Sequence, residues 1–420
     1  MSRSPKSTYF YRVVRDRLAP ASGPFFTDVD GNVLLDFVSQ VASAPFGYND
    51  PEMIEFIRSL PIEDPDRYAG TDFICAAGKR PGKSSIPTPA DLHEKIAKIS
   101  RQLGMDCSYF SNSGAEAVEN AMKICFLKNG KTKHFFSFDH AFHGRTIGAL
   151  TLTRSKKVHR TGFPHLPYAE SLPFCDCGSD CRCGWSVIGV DGKRHSALEG
   201  RIGDGIGMID PKEVAFIIIE PVQGEGGYRI ANRSFIREMV ATAKDAKIPV
   251  IFDEIQSGLG RTGKWWAAEH YGVKPDVITA GKALRVAATI GRRDMFPDEE
   301  GKIAGTWCEG NAMATAVGYK TIEMIQQRNL LDNAQKMGRY LAQKLKGLED
   351  RHLSRGRALG LMGAIDVDTH ERRSSIIKKA HSKGLVIAPA GYRSIRLIPP
   401  LNVTKREIDL AIDILDRASR

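Results

Sequence analysis

The chain has 420 residues, 42% of them apolar, with 60 Lys and Arg against 49 Asp and Glu for a formal net charge of +11. That length exceeds one simple core and predicts a globular protein of two lobes, while the lack of any run of about 18 apolar residues argues against a membrane span. The opening MSRSPKSTYFYRVVRDRLAP lacks the apolar stretch and small-residue cleavage site of a secretory signal, so a cytoplasmic protein is expected. The basic excess raises a nucleic-acid partner as a rival hypothesis. However, Lys and Arg are spread along the chain without a charged block or a recognisable nucleic-acid module, and the expectation is anionic small molecules, with no nucleic acid and no membrane.

In chain order, FFTDVDGNVLLDFVS (25–39) predicts a hairpin turning at DGN. YFSNSGAEAVENAMK then sets a polar, Gly-containing turn before a helix over 115–129. Ser111, Asn112 and Ser113 are capping residues, and Gly114 with Ala115 lets a ligand approach the free N–H groups of the first turn. An ordinary N-cap reads equally well. HFFSF (134–138) predicts a strand and is followed by Phe142, His143 and Arg145, which suit either core packing with a solvated charge or a ring-stacking platform beside an anion-binding guanidinium. A further strand is predicted at GALTLT (148–153).

The stretch 160–212 lacks clear periodicity and reads as an insertion or lid. It holds Cys175, Cys177, Cys181 and Cys183, half of the eight cysteines. Without an oxidising compartment this is no disulfide framework, which leaves four thiolates around a zinc ion or a Cys-rich surface loop. The C-x-C-x3-C-x-C spacing is tighter than usual for a closed cage, so the sequence assigns no metal.

Strands are predicted at VAFIII (214–219), ending in Glu220 with Glu225 beyond, at PVIF (249–252) and at DVITAG (276–281), with a helix over 233–247 between the first two. In VIFDEIQSG an apolar run meets Asp253 and Glu254, and a buried carboxylate without a counter-charge costs several kcal/mol, so a solvated turn or a cationic partner is required. Strand alternation points Glu254 the other way, as a structural residue. Lys282 ends the next strand, where burial would favour the neutral amine that forms Schiff bases. Two amphipathic helices follow residue 312, and the tail from Gly384 reads strand, strand, helix. Residues 1–69 and 301–420 are expected to form one smaller α+β lobe around a large α/β lobe over 70–300.

Asp253, Lys282, an anion-binding helix start and an aromatic plate on one sheet edge would suit a planar, phosphorylated, nitrogen-containing aldehyde: pyridoxal 5′-phosphate. Over nearly its whole length the sequence resembles the class-III aminotransferases of fold type I, the ornithine, 4-aminobutyrate and lysine type. The resemblance is carried by SNSGAEAVENAMK, FHGRT, IIIEPVQGEGG, VIFDEIQSGLGRTGKWWAAEHYGVKPDVITAGKAL, GTWCEGNAMA and IRLIPPLNVT. It implies an α/β fold with a mainly parallel sheet flanked by helices, and a homodimer or higher homo-oligomer. It also implies Lys282 as the Schiff-base lysine, Asp253 against the pyridine nitrogen, Ile255 and Phe142 on the ring faces, His143 beside them and Gln256 near the ring hydroxyl. Ser113, Gly114 and Ala115 would hold the phosphate, joined by Thr306 from a neighbouring subunit. Arg145 would bind the distal carboxylate of a substrate, and Glu225 would mask Arg396 for an ω-amine and release it for the α-carboxylate of glutamate or 2-oxoglutarate.

The chain departs from that pattern at RVAATIG after the lysine, where the family has GGG, and at GYNDP, where GHxHP is common; TWCEGN is one residue longer than TFGGN, and the cysteine insertion is no general family feature. These features resemble the lysine-aminotransferase-like branch, which also contains amino-acid racemases. The expected activity is transfer of an amino group from lysine, ornithine, 4-aminobutyrate or a similar ω-amino acid to a 2-oxo acid, with racemisation as the alternative.

Overall fold

The computed structural model describes residues 15–16, 18–60, 87–130, 133–177, 181–189, 192–202, 207–303, 310–350 and 352–420. Its centre is a seven-stranded sheet in the spatial order Cys107–Ser111, Ala287–Gly291, Val277–Ala280, Val250–Asp253, Val214–Ile219, His134–Phe138 and Ala169–Leu172. Every strand is parallel to the others except Ala287–Gly291, which runs antiparallel to both of its neighbours.

The central strands read as unbroken apolar runs because both faces are covered, and their alternation sorts side chains into two cores. Phe135, Phe216, Ile218, Ile251 and Val277 pack on one face with Val118, Ala121 and Met122 of the helix Gly114–Asn129. Phe136, Ile217, Ile219, Phe252 and Ile278 pack on the other with Phe235, Ile236 and Met239 of the helix Arg233–Asp245. Parallel strands under crossover helices bring their C-terminal ends to one edge, so residues following Ile219, Phe252 and Ala280 meet there.

One sequence expectation fails in this region. Residues Ile147–Leu152 are a buried helix, not a strand. Its start is capped from outside: Glu119 Oε1 accepts from Thr146 Oγ1 at 2.6 Å and from Ala149 N at 3.0 Å. A short apolar run cannot distinguish strand from helix when the deciding cap belongs to another helix.

The two ends of the chain share a second core. The hairpin of Phe25–Thr27 and Val33–Asp36 turns where Asp28 Oδ1 accepts from Asn32 N at 2.8 Å, and Leu35 pairs in parallel register with Leu385. Leu353–Leu359, Met362–Val367, Ser394–Leu397 and Ala388–Ala390 form an antiparallel sheet. Leu35, Phe37 and Met53 pack with Leu341, Ile365, Ile377, Ile395 and Leu415. Among the described residues no helix is long and apolar enough to cross a membrane.

Candidate active site

Asp253 closes its strand and is only 5% exposed, with its Cα paired in register with Thr279. Its Oδ2 lies 2.7 Å from His143 Nδ1, while Oδ1 accepts from Thr279 Oγ1 at 3.1 Å and from Ile255 N at 3.2 Å. The neighbouring strand ends in Glu220, also buried, which accepts from Phe142 N at 2.8 Å and Gly224 N at 2.9 Å. Burial pushes the Glu220 carboxyl up to about 7; His143 opposes that shift and Asp253 adds to it. Two buried carboxylates thus stand near one imidazole, which contacts Asp253 alone of the two.

Lys282 begins the tight turn Lys282–Leu284 just beyond the next strand, with φ +45°, a left-handed conformation uncommon for a residue with a side chain. Desolvation pushes its amine down to about 8, assisted by Arg396 and opposed by Glu225, Glu220 and Asp253. A lysine at that value is a competent nucleophile near neutrality.

The helix Gly114–Asn129 opens beside this edge. Ser113 and Glu116 form a reciprocal capping box, in which Ser113 Oγ accepts from Glu116 N at 3.3 Å and Glu116 Oε2 accepts from Ser113 N at 2.8 Å. The N–H groups of Gly114 and Ala115 are left at the positive helix end without a partner among the described residues. A Cβ on Gly114 would stand 2.8 Å from Ile255 Cδ1, and one on Gly281 would stand 3.5 Å from Ile255 Cγ2. Ile255 is thus lodged between the helix start and the lysine turn.

Three buried polar atoms here have no partner among the described residues: His143 Nε2, Gln256 Oε1 and Ser111 Oγ. A Cβ on Gly224 would come within 2.8 Å of Gln256 Oε1, so the glycine keeps space open at that amide. The exposed N–H groups suit a phosphate, the Asp253 carboxylate suits a protonated ring nitrogen, the Gln256 amide suits a ring hydroxyl and the Lys282 amine suits an aldehyde. The residues fit pyridoxal 5′-phosphate.

A second charged group stands beside them. Arg396, from Ser394–Leu397, is buried with Nη1 2.7 Å from Glu225 Oε1, and Lys156 Nζ lies 2.8 Å from Glu225 Oε2. Burial works against the Glu225 charge, but Arg396 and Lys156 prevail and hold the carboxyl well below its usual range. The Tyr228 ring underlies Arg396, centroid to Cζ 6.0 Å.

Most of the residues singled out in the sequence converge: Asp253, His143, Ile255, Gln256 and Lys282 at the strand ends, Gly114 and Ala115 at the helix start, and Glu225 paired with Arg396. Ser113 is exposed and serves as the helix cap. Phe142 is half-buried against His159, with ring centroids 5.4 Å apart, and the exposed Arg145 lies over it at 5.7 Å. Thr306 falls outside the described residues. Glu254 turns away: its carboxylate accepts from Ala267 N at 2.6 Å, Ala268 N at 2.8 Å and Ser257 Oγ at 3.1 Å. Thr279 and Lys156 were missed by sequence reasoning, and Glu220 was seen but given no role; nothing local marks Lys156, whose partner is 69 residues away.

This combination of sheet, strand-end lysine and carboxylate defines a pyridoxal-phosphate-dependent enzyme of fold type I, and the chain belongs to the class-III aminotransferases. The family model "Aminotransferase class-III" matches residues 11–418. The acetylornithine aminotransferase of Archaeoglobus fulgidus is 30% identical over 398 residues, covering 94% of this chain and 92% of that one. The alanine/serine racemase of Pyrococcus horikoshii is 28% identical over 417 residues, covering 94% and 84% respectively. Among solved structures, the lysine aminotransferase of M. tuberculosis in its internal aldimine form superposes with a TM-score of 0.81 at 25% identity, covering 97% of this chain and 95% of that one. The cofactor is pyridoxal 5′-phosphate, as in the family.

Proposed function

We propose that the enzyme transfers the terminal amino group of an ω-amino acid of the lysine, ornithine or 4-aminobutyrate type to 2-oxoglutarate. The observation that carries this reading is the Glu225–Arg396 ion pair at 2.7 Å, beside Lys282. An enzyme with two dissimilar substrates must bind an α-carboxylate in one half-reaction and tolerate an uncharged carbon in the other. With Glu225 on Arg396 the site accepts the second; with Glu225 swung away, Arg396 is free to take a carboxylate as a bidentate partner. Lys156, half-exposed, is placed to hold Glu225 when it leaves. N-acetylornithine also carries a free terminal amine, so the activity in the name of the archaeal relative falls in the same class.

The remaining roles are assigned by the likeness to the family. The Gly114 and Ala115 N–H groups, with Ser113, bind the cofactor phosphate, Asp253 holds a proton on the ring nitrogen, and His143 and Thr279 fix that carboxylate. Ile255 and Phe142 confine the ring, and Gln256 takes its hydroxyl. Once bound, the cofactor supplies an electron sink for the carbon bearing the substrate amine. Lys282 Nζ would hold the cofactor through its aldehyde and, as a free amine, would be the base for the proton on that carbon. Arg145 at the mouth binds the distal carboxylate, and a second copy of the chain supplies Thr306 in a homodimer.

A donor and acceptor screen tests the reading: ω-amino donors should sustain turnover with 2-oxoglutarate. Turnover confined to α-amino groups would overturn it. The racemase relative gives a second reading, in which Lys282 returns the proton to the same carbon and no oxo acid is consumed.

A further inference from the structure

The insertion carries a group of side chains that transamination does not use. Cys175, Cys177, Cys181 and Cys183 place their four sulfurs within 4.8 Å of one another, with Cys181 Sγ 3.5 Å from Cys175 Sγ and 3.3 Å from Cys183 Sγ. Four thiolates at about 2.3 Å from a tetrahedral zinc ion stand about 3.8 Å apart, so the cluster has the size of a single coordination shell. The C-x-C pairs are tight, yet the sulfurs of both pairs face one point.

The surroundings are those of a closed structural site. Cys175 is buried, and the other three pack half-buried against the core that holds Trp185 and Phe235. Backbone N–H groups are directed at the sulfurs: Cys177 to Cys175, Cys183 and Ser186 to Cys181, and Trp185 to Cys183. Such donors stabilise thiolate charge and orient ligands. The peptides are held as well, since Asn232, the cap of helix Arg233–Asp245, donates from N to the Cys175 carbonyl at 2.8 Å and from Nδ2 to the Cys177 carbonyl at 2.7 Å. Between these two cysteines, Asp176 pairs with Arg229 at 2.8 Å and with Arg355 at 2.6 Å. Arg182, Arg194 and Glu238 line the adjoining cavity; Arg194 is paired with Glu238 at 3.3 Å, which leaves Arg182 as the neighbouring cation toward the negative charge of a zinc tetrathiolate.

We propose that Cys175, Cys177, Cys181 and Cys183 bind one zinc ion as a tetrahedral tetrathiolate that staples the insertion to the helix Arg233–Asp245 and, through Asp176 and Arg355, to the C-terminal antiparallel sheet. No coordination position is left for substrate, so the ion is structural. Binding releases the thiol protons to solvent and changes no oxidation state.

The test is the metal content of the full-length enzyme purified from zinc-supplemented culture. Wild type should carry about one zinc per chain and Cys177→Ser or Cys181→Ser less than about 0.1, while Cys107→Ser, outside the cluster, keeps about one. If the serine variants fail to fold, wild type grown with cobalt decides the matter, because a tetrathiolate site gives sulfur-to-cobalt charge-transfer absorption and intense tetrahedral d–d bands. Wild type with less than about 0.1 zinc and four fast-reacting thiols would overturn the assignment. So would native mass spectrometry showing disulfides, or one equivalent of iron in place of zinc.

Discussion

Two charged clusters lie side by side at the sheet edge, and they are balanced in opposite ways. Around Lys282 the charges are mismatched: the amine is pushed down to about 8 by desolvation, Glu220 is pushed up to about 7 by the same cause, and His143 contacts Asp253 but not Glu220. Around Glu225 they are matched, with Arg396 at 2.7 Å and Lys156 at 2.8 Å. A cluster left short of a cation suits a group that brings one, whereas the charge-matched cluster, in which Arg396 Nε and Nη1 are buried without a hydrogen-bond partner among the described residues, would on the proposed reading be a gate closed until a competing anion arrives. The first should be indispensable to chemistry and the second to the choice of substrate.

The largest effect is expected from Lys282→Ala, which removes both anchor and base and should lower kcat by at least about 10³-fold in a steady-state assay. The amine also predicts a pH dependence. The rate at which apoenzyme takes up cofactor should rise with pH and level off above about 8, rather than following an ordinary lysine at 10.5, because the neutral amine is the nucleophile. Between those values the unfolded chain holds a proton that the folded apoenzyme has lost, so apoenzyme stability should gain from Lys282 as pH rises. A midpoint near 10 would mean that desolvation does not reach the amine.

Asp253→Asn keeps shape and removes charge; kcat should fall about 10²-fold, with cofactor retained through the phosphate contacts. Glu225→Gln should break the symmetry of the gate: the KM for the ω-amino donor rises about tenfold while that for 2-oxoglutarate does not, since Arg396 is then permanently available. Equal rises in both would remove the gate from the account. The smallest catalytic effect belongs to Glu254→Ala, one residue from Asp253. It leaves the Ala267 and Ala268 N–H groups unpaired and should cost about 2–4 kcal/mol in denaturant unfolding, with kcat of the folded enzyme unchanged within about twofold.

The lysine cluster was largely legible in the sequence, because Asp253, Gln256 and Lys282 sit at the ends of unmistakable apolar strands and within a long signature. The pairing of Glu225 with Arg396 was legible only through the family resemblance, since the two are 171 positions apart, and Lys156 carries no local mark. The helix Ile147–Leu152 was hidden for a related reason, its cap being supplied by Glu119 of another helix. The short strands Ala169–Leu172 and Ala287–Gly291 were unpredicted as well, being ordered by their neighbours rather than by their own pattern. At the cysteines, spacing argued against a cage, and only the fold of the surrounding backbone brings the sulfurs together.

On the proposed function, Lys282 would take a proton off the substrate carbon, and the enzyme would retain the amino group while the carbon skeleton leaves as a carbonyl. The most direct measurement mixes the holoenzyme with an ω-amino donor alone. The cofactor's visible absorbance should be lost and one equivalent of aldehyde released per active site, with the absorbance restored by 2-oxoglutarate. Retained absorbance, no aldehyde and a decaying optical rotation of the amino acid would contradict it.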